Sequence, residues 1–299
     1  ILKLNHQKNS VTKLLFINLL NNSTNNNKIS DTKRSKHYLS ISKMSRKSQT
    51  ILPSVELLSS LTKEPFIDTH THLHYVLERL PDHLGVLTYD DLKERYCPPN
   101  LEACINVLCD PASFVADVIF PGTIMDWRGM ARIPFMYLAA GVHPHNAKDY
   151  NDYRSLLKNI PKLIIDDEED TWNIMTEHIP KEWKIHVHCF TDTPKFAEQL
   201  LGYFPNLFIG ITGVVTFGSA RNTQQVVIST PLNRLLLETD APYMVPSKLN
   251  RNKKSHLKVT VCHSGMIPFV AEKISQLKNI DIDTVMKTIR ENTRNMYGI

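Results

Sequence analysis

The chain has 299 residues, 42% of them hydrophobic and 22% charged, which is enough apolar sequence for a sizeable core and too much for a wholly disordered protein. Its formal net charge of +5 is uneven: residues 1–60 carry ten Lys or Arg against Asp31 and Glu56, whereas the remainder carries 25 basic against 28 acidic side chains and is near neutral. Five cysteines without a CxxC pair argue against a disulfide framework or a zinc ribbon and point to reduced thiols in a cytoplasmic or nuclear protein.

Taken in chain order, residues 1–60 read as a basic, Asn-rich and disordered region, with NNSTNNNK at 21–28 and a polar basic stretch at 31–49. The apolar VTKLLFINLL (11–20) has no small-residue cleavage pattern after it. No run of about 18 apolar residues occurs, so no membrane span is expected. From residue 65 short apolar segments alternate with amphipathic ones. Strands are expected at 66–70, 102–109, 136–143, 162–166, 184–190, 206–212 and 234–240. Helices are expected at PASFVADVIF (111–120), AKDYNDYRSLLKNI (147–160), EEDTWNIMTEHIP (168–180), TPKFAEQLLGYF (193–204), IPFVAEKISQLKN (267–279) and DIDTVMKTIRENTRNMYG (281–298).

Strands alternating with helices imply a parallel sheet covered by helices. His70, His72, His143, His145, His188, Glu238 and Asp240 fall at or just past the C-terminal ends of different strands. A TIM-barrel (β/α)8 arrangement brings such ends to one mouth, whereas an open sheet converges only those beside a switch point. No GxGxxG or GxxxxGK[ST] occurs, so dinucleotide and P-loop chemistry lose their usual support. A closed barrel needs eight strands and seven are recognisable, with the shortfall between 166 and 184.

In FIDTHTH (66–72) two residues apart face the same way, so His70 and His72 can form half of a metal site, or can be hydrogen-bonded loop histidines. His74 continues the period past the strand end, where solvent contact is expected. LLLETDAPY (235–243) delivers Glu238 and Asp240 from an apolar strand; Asp240 suits a ligand or general base, with a helix N-cap as the alternative. In IHVHCF (185–190) His188 is the better ligand and His186 the deeper, hydrogen-bonded residue, with Cys189 facing away as a small apolar side chain. AAGVHPHN (139–146) offers His143 and His145 to an anionic substrate or to its own turn. The basic loop PSKLNRNKKSHLK (246–258), with Lys253 and Lys254 at its centre, suits a phosphodiester backbone or plain solvent.

In order and spacing, FIDTHTHL, GVHPH, HCFT, YFPNLFIGITGVVTF, LLLETDAPYMVP and RENTRNMYGI resemble the TatD-type metal-dependent deoxyribonucleases, a branch of the amidohydrolase-like TIM barrels. The resemblance covers 65–299, the expected hydrolase barrel. It implies two-metal hydrolysis of phosphodiester bonds in DNA or RNA with a 3′ to 5′ exonuclease habit. By motif, His70, His72 and Asp240 would hold the first divalent ion (Mg²⁺, Mn²⁺ or Zn²⁺), with Asp240 serving the attacking water. His188 would hold the second ion, Glu238 would support the site from behind, and His143 and His145 would line the substrate side. The chain departs from the pattern at PKLIID (161–166), which runs straight into DEEDTWNIMTEHIP. A strand-helix unit is missing there, with the Glu that bridges the metals and the His of an HxR motif, leaving a donor set for one ion. Substitution by Asp166, Asp167, Glu168 or Glu169 competes with a charged helix start. A non-catalytic nucleic-acid or protein-binding relative, and coding sequence missing at the 166–167 junction, stand beside the enzyme reading, and oligomeric state stays open.

Overall fold

The computed structural model of the chain describes residues 2–3, 12–13, 15–18, 49–109, 118–120, 123–125, 127–141, 168–250 and 256–299. The elements run β1 (Leu2–Lys3), β2 (Thr12–Lys13), β3 (Leu15–Asn18), β4 (Gln49–Thr50), α1 (Val55–Ser59), β5 (Phe66–Thr71), α2 (Leu73–Arg79), α3 (Tyr89–Tyr96) and β6 (Leu101–Leu108). A short antiparallel pair, β7 (Val118–Phe120) and β8 (Thr123–Met125), precedes α4 (Trp127–Met130) and β9 (Met136–Ala140). Then come α5 (Glu168–His178), β10 (Ile185–His188), α6 (Pro194–Tyr203), β11 (Leu207–Ile211), α7 (Arg221–Ser229), β12 (Leu235–Leu237), β13 (Leu257–Lys258), α8 (Ile267–Lys278) and α9 (Ile282–Tyr297).

Six of the expected strands are present, and the one at 162–166 lies outside the described residues, as does the expected helix at 147–160. The helix expected over 111–120 is corrected at its end: Val118–Phe120 is a strand, as its Val-Ile-Phe content favours. Described structure is also present N-terminal to residue 60. Gln49 N–H donates to the His256 carbonyl at 2.7 Å, and Leu58 of α1 is fully buried among Val76, Leu77 and their neighbours.

Two parallel half-sheets build the fold. In one, β5, β6 and β9 are neighbours; in the other, β10, β11 and β12. They meet where β5 and β12 end: Thr71 and Ala241 form a parallel bridge, His72 N–H donates to the Ala241 carbonyl at 2.8 Å, and Asp240 N–H to that of His70 at 2.9 Å. At the opposite seam, between β9 and β10, the N-terminal strands take the free edges, β1 antiparallel on β9 and β3 parallel on β10. The result is TIM-barrel-like, and among the described residues no ladder joins β9 to β10 across that seam.

The two-residue period of the strands divides the core into layers. Ile185, Val187, Ile209, Ile211, Leu235 and Leu237 join Phe196, Leu200, Val226 and Ile274 in an outer cluster between sheet and helices. The alternate residues Ile105, Val107, Phe208 and Leu236 form an inner cluster with Met296 and Tyr297 from the end of α9. That helix is well specified, with Asp281 accepting from the Asp283 and Thr284 amides at its start and Gly298 at φ 64° closing it. The inner apolar cluster fills the space beneath the polar ends of β5, β10 and β12. Among the described residues, no helix is long and apolar enough to cross a membrane.

Candidate metal centre

Four side chains from three strand ends converge on one point. Nε2 of His70, His72 and His188 lie 3.8, 3.6 and 3.4 Å from Oδ1 of Asp240, and the Nε2 atoms of His70 and His72 are 3.3 Å apart. The His70 and His188 rings stack with centroids 3.5 Å apart. Each side chain is nearly buried, with Asp240 the most open of the four. The β5 period aims both histidines inward. Asp240 reaches them through a left-handed residue conformation, φ 54°, which Asp tolerates better than most residues.

A second layer fixes which nitrogen faces the centre. His72 Nδ1 lies 2.8 Å from the Val107 carbonyl, which can only accept, so Nδ1 carries the proton and Nε2 offers a lone pair. His188 Nδ1 lies 3.0 Å from Glu238 Oε2, with the same consequence. Glu238 is fully buried, also accepts from the Cys189 backbone N–H, and sits 3.0 Å from His186 Nε2. His186 in turn pairs through Nδ1 with the Tyr297 hydroxyl at 2.7 Å, so the chain's last helix supports the site from below.

The charges are strongly coupled. Burial opposes ionisation of Glu238, but the facing His188 and His186 overcome it and hold the carboxyl at about 2. Burial likewise opposes the charge on Asp240, and His188, with hydrogen bonds from His188 and His72, holds it well below the carboxylate range. Burial favours neutral His188, yet in the ion-free state Glu238 and then Asp240 raise it to about 10, so a cation would have to displace a proton from Nε2 to use its lone pair. His70 goes the other way, pushed well down by burial and by His188 and His72.

This donor set fits a divalent transition ion. Imidazole nitrogens with a carboxylate oxygen are a common divalent-metal set, and three Nε2 atoms within 4 Å of one Asp240 oxygen are reconciled by a shared cation. The groups able to hold an ion are His70, His72 and Asp240; His70, His188 and Glu238; and His188, Cys189 and Asp240. Among the described residues these groups contain neither Glu168 nor Glu169. Glu168 instead accepts from Thr193 Oγ1 at the start of α6. Asp166 and Asp167, together with His143, His145, Lys253 and Lys254, lie outside the described residues.

Two expectations are corrected. His74 is buried at 1% exposure instead of meeting solvent, because α2 starts at Leu73 and turns it beneath Tyr75. Cys189 is more than an inert apolar residue: its positive φ of 50° turns its N–H onto Glu238. Sequence reasoning also missed Asp68, which accepts from the His70 and Thr239 amides and the Thr239 hydroxyl and ties β5 to the residues after β12. The signal was present, since Asp68, His70 and His72 share one two-residue period. It missed Gly210 as well, where an added Cβ would lie 2.3 Å from His186 Nε2 and 2.5 Å from Glu238 Oε1; an isolated Gly inside a strand is the usual sign of such close approach.

A parallel TIM-barrel-like sheet carries three histidines and an aspartate clustered at its C-terminal strand ends, a set of side chains suited to a divalent metal. Residues 164–298 match the family model described as TatD related DNase, so the C-terminal part of the chain is similar to TatD-type proteins. It is 26% identical over 294 residues to the human 3′-5′ RNA nuclease TATDN2, covering 83% of this chain and 37% of that protein. It is 30% identical over 145 residues to the uncharacterized metal-dependent hydrolase YabD of Bacillus subtilis (strain 168), covering 47% of this chain and 52% of that one. The chain thus spans about half the length, or less, of these relatives. The crystal structure of a TatD family hydrolase from Entamoeba histolytica shares the fold with a TM-score of 0.53 at 19% identity, over 78% of this chain and 98% of that one.

Proposed function

We propose that the protein is a metal-dependent phosphodiesterase acting on DNA or RNA, built around a single divalent ion held by His70, His72, His188 and Asp240. The observation that carries this reading is the convergence of three Nε2 atoms within 3.8 Å of one Asp240 oxygen. A bound ion would lower the pKa of a coordinated water and offset charge developing on phosphoryl oxygens. The chain's own residues do the rest. Val107 and Glu238 hold His72 and His188 in the tautomer that presents Nε2, and the Asp240 carboxylate takes the proton released by the attacking water. His143, His145, Lys253 and Lys254 contact the substrate phosphates. The names of the relatives support the substrate class, and the convergence of three Nε2 atoms on one Asp240 oxygen supports one ion in place of two. Five free cysteines, four of them buried, support a reducing compartment, the cytoplasm or nucleus.

Incubation of the purified full chain with end-labelled single-stranded DNA and RNA in Mg²⁺, Mn²⁺ or Zn²⁺, beside Asp240→Ala, tests the reading. Stepwise shortening from the 3′ end that needs both the ion and Asp240 is expected. Turnover indistinguishable from the variant in every ion would leave a binding protein without catalysis.

A further inference from the structure

The turn that displays Asp240 also displays an aromatic ring. Tyr243 N–H donates to the Asp240 carbonyl at 3.0 Å, and the ring is 42% exposed, the one aromatic among the large exposed hydrophobic side chains of the described residues. The other ligand-bearing strand end supplies its companion. α2 starts directly after His72 and carries Arg79 in its last turn, about 10 Å along the helix. The Arg79 guanidinium lies 4.5 Å from the Tyr243 ring centroid, and Nη2 donates to the phenolic oxygen at 3.0 Å. Among the described residues no carboxylate lies within ion-pair distance of Arg79.

Holding an exposed ring in one orientation costs side-chain entropy, and here little apolar burial offsets it. A surface tyrosine serving only solubility would not need a hydrogen bond and a cation over one face. What the arrangement provides is a rigid aromatic face and an unneutralised cation, each rooted one short segment from a member of the histidine–aspartate cluster. A base stacks on the first and a phosphate pairs with the second, the combination by which single strands are held.

We propose that Tyr243 and Arg79 form a nucleotide-binding platform beside the metal centre, Tyr243 stacking on one base of a single-stranded nucleic acid and Arg79 pairing with an adjoining phosphate. This rests on the hydrolase reading of the site and adds to it a residue-level selection for unpaired bases.

The test is a double-mutant cycle between the protein and the strand. Anisotropy measures binding of fluorescent phosphorothioate oligonucleotides, intact or lacking one base at each of the last three 3′ positions, to the full-length chain with Mn²⁺. At one position the wild type should lose about tenfold in affinity when the base is removed, the usual scale of base–aromatic stacking. Tyr243→Ala should bind both strands equally, Tyr243→Phe should keep the discrimination, and Arg79→Ala should weaken all strands alike and reduce the salt slope by about one. Equal discrimination by wild type and Tyr243→Ala, or none by wild type at any position, overturns the platform. Failure of the wild type to bind any strand while still hydrolysing methyl 4-nitrophenyl phosphate also overturns it, and leaves the hydrolase reading standing.

Discussion

Glu238 Oε2 lies 3.0 Å from Nδ1 of His188, inside a fully buried site where the carboxylate also meets His186 and the Cys189 amide. The contact orients the ring of His188 so that Nε2, and not Nδ1, faces Asp240, the orientation that the proposed metal site requires. Glu238→Gln keeps the volume and removes the charge. Metal affinity by calorimetry should fall about 10- to 100-fold, the range for partners behind a ligand, while the far-ultraviolet spectrum stays unchanged. Unaltered affinity would mean that packing alone orients the ring.

Gly210 is where backbone makes room for that carboxylate. A methyl group there would sit 2.3 Å from His186 Nε2 and 2.7 Å from the Glu238 carboxyl carbon. Gly210→Ala should therefore destabilise the fold by about 1–3 kcal/mol, as overpacked cores do, and weaken the metal site through its supporting pair. Urea unfolding gives the first quantity; a midpoint equal to that of wild type would show that both side chains move aside freely.

On the far side of the fold, Glu102 accepts from Arg294 Nη2 at 2.7 Å and pairs with Arg290, fastening α9 to the start of β6. Burial opposes its charge, but the bonds from Arg294 and Arg290 prevail and lower its carboxyl. A lowered folded-state value means that stabilisation is complete above the unfolded value of about 4.3 and is lost as pH falls through the folded one. The pair is part-exposed, so solvent screening keeps its worth below about 1 kcal/mol at neutral pH. Glu102→Gln should lower stability at pH 7, most in low salt, and flatten its dependence below pH ~4.3. Parallel pH curves for the two proteins would exclude this role.

The edge of β10 is paired along its length by β3, from Ile185 with Leu15 to His188 with Asn18. Removal of residues 1–20 would bare a buried parallel edge, which recruits other chains. The shortened protein should melt at lower temperature and self-associate in size-exclusion chromatography. An elution profile and melting temperature equal to those of the full chain would show that the seam is closed by other residues.

Much of the fold was legible because parallel strands write themselves as apolar runs ending in polar residues. The candidate cluster was legible for the same reason: His70 and His72 share a period, and Glu238 and Asp240 end a Leu run. Val118–Phe120 was misread because a three-residue strand carries no period that separates it from a helix end. β3 escaped because VTKLLFINLL lies in a polar tail, and its role depends on the edge of β10, more than 160 residues away. Tyr297 and Val107 were invisible for a related reason: one contributes a hydroxyl from the end of the last helix and the other a backbone carbonyl, and neither has a residue-type signature. His74 was misplaced because the helix starting at Leu73 breaks the strand period.

Equilibrium dialysis of the full-length chain against Mn²⁺ or Zn²⁺, with metal counted by mass spectrometry, tests the central claim most directly. The His70, His72, His188 and Asp240 cluster predicts one tightly held ion per chain, lost in Asp240→Ala with the fold retained. An ion-free wild type, or an Asp240→Ala protein carrying the same ion at the same affinity, would contradict it.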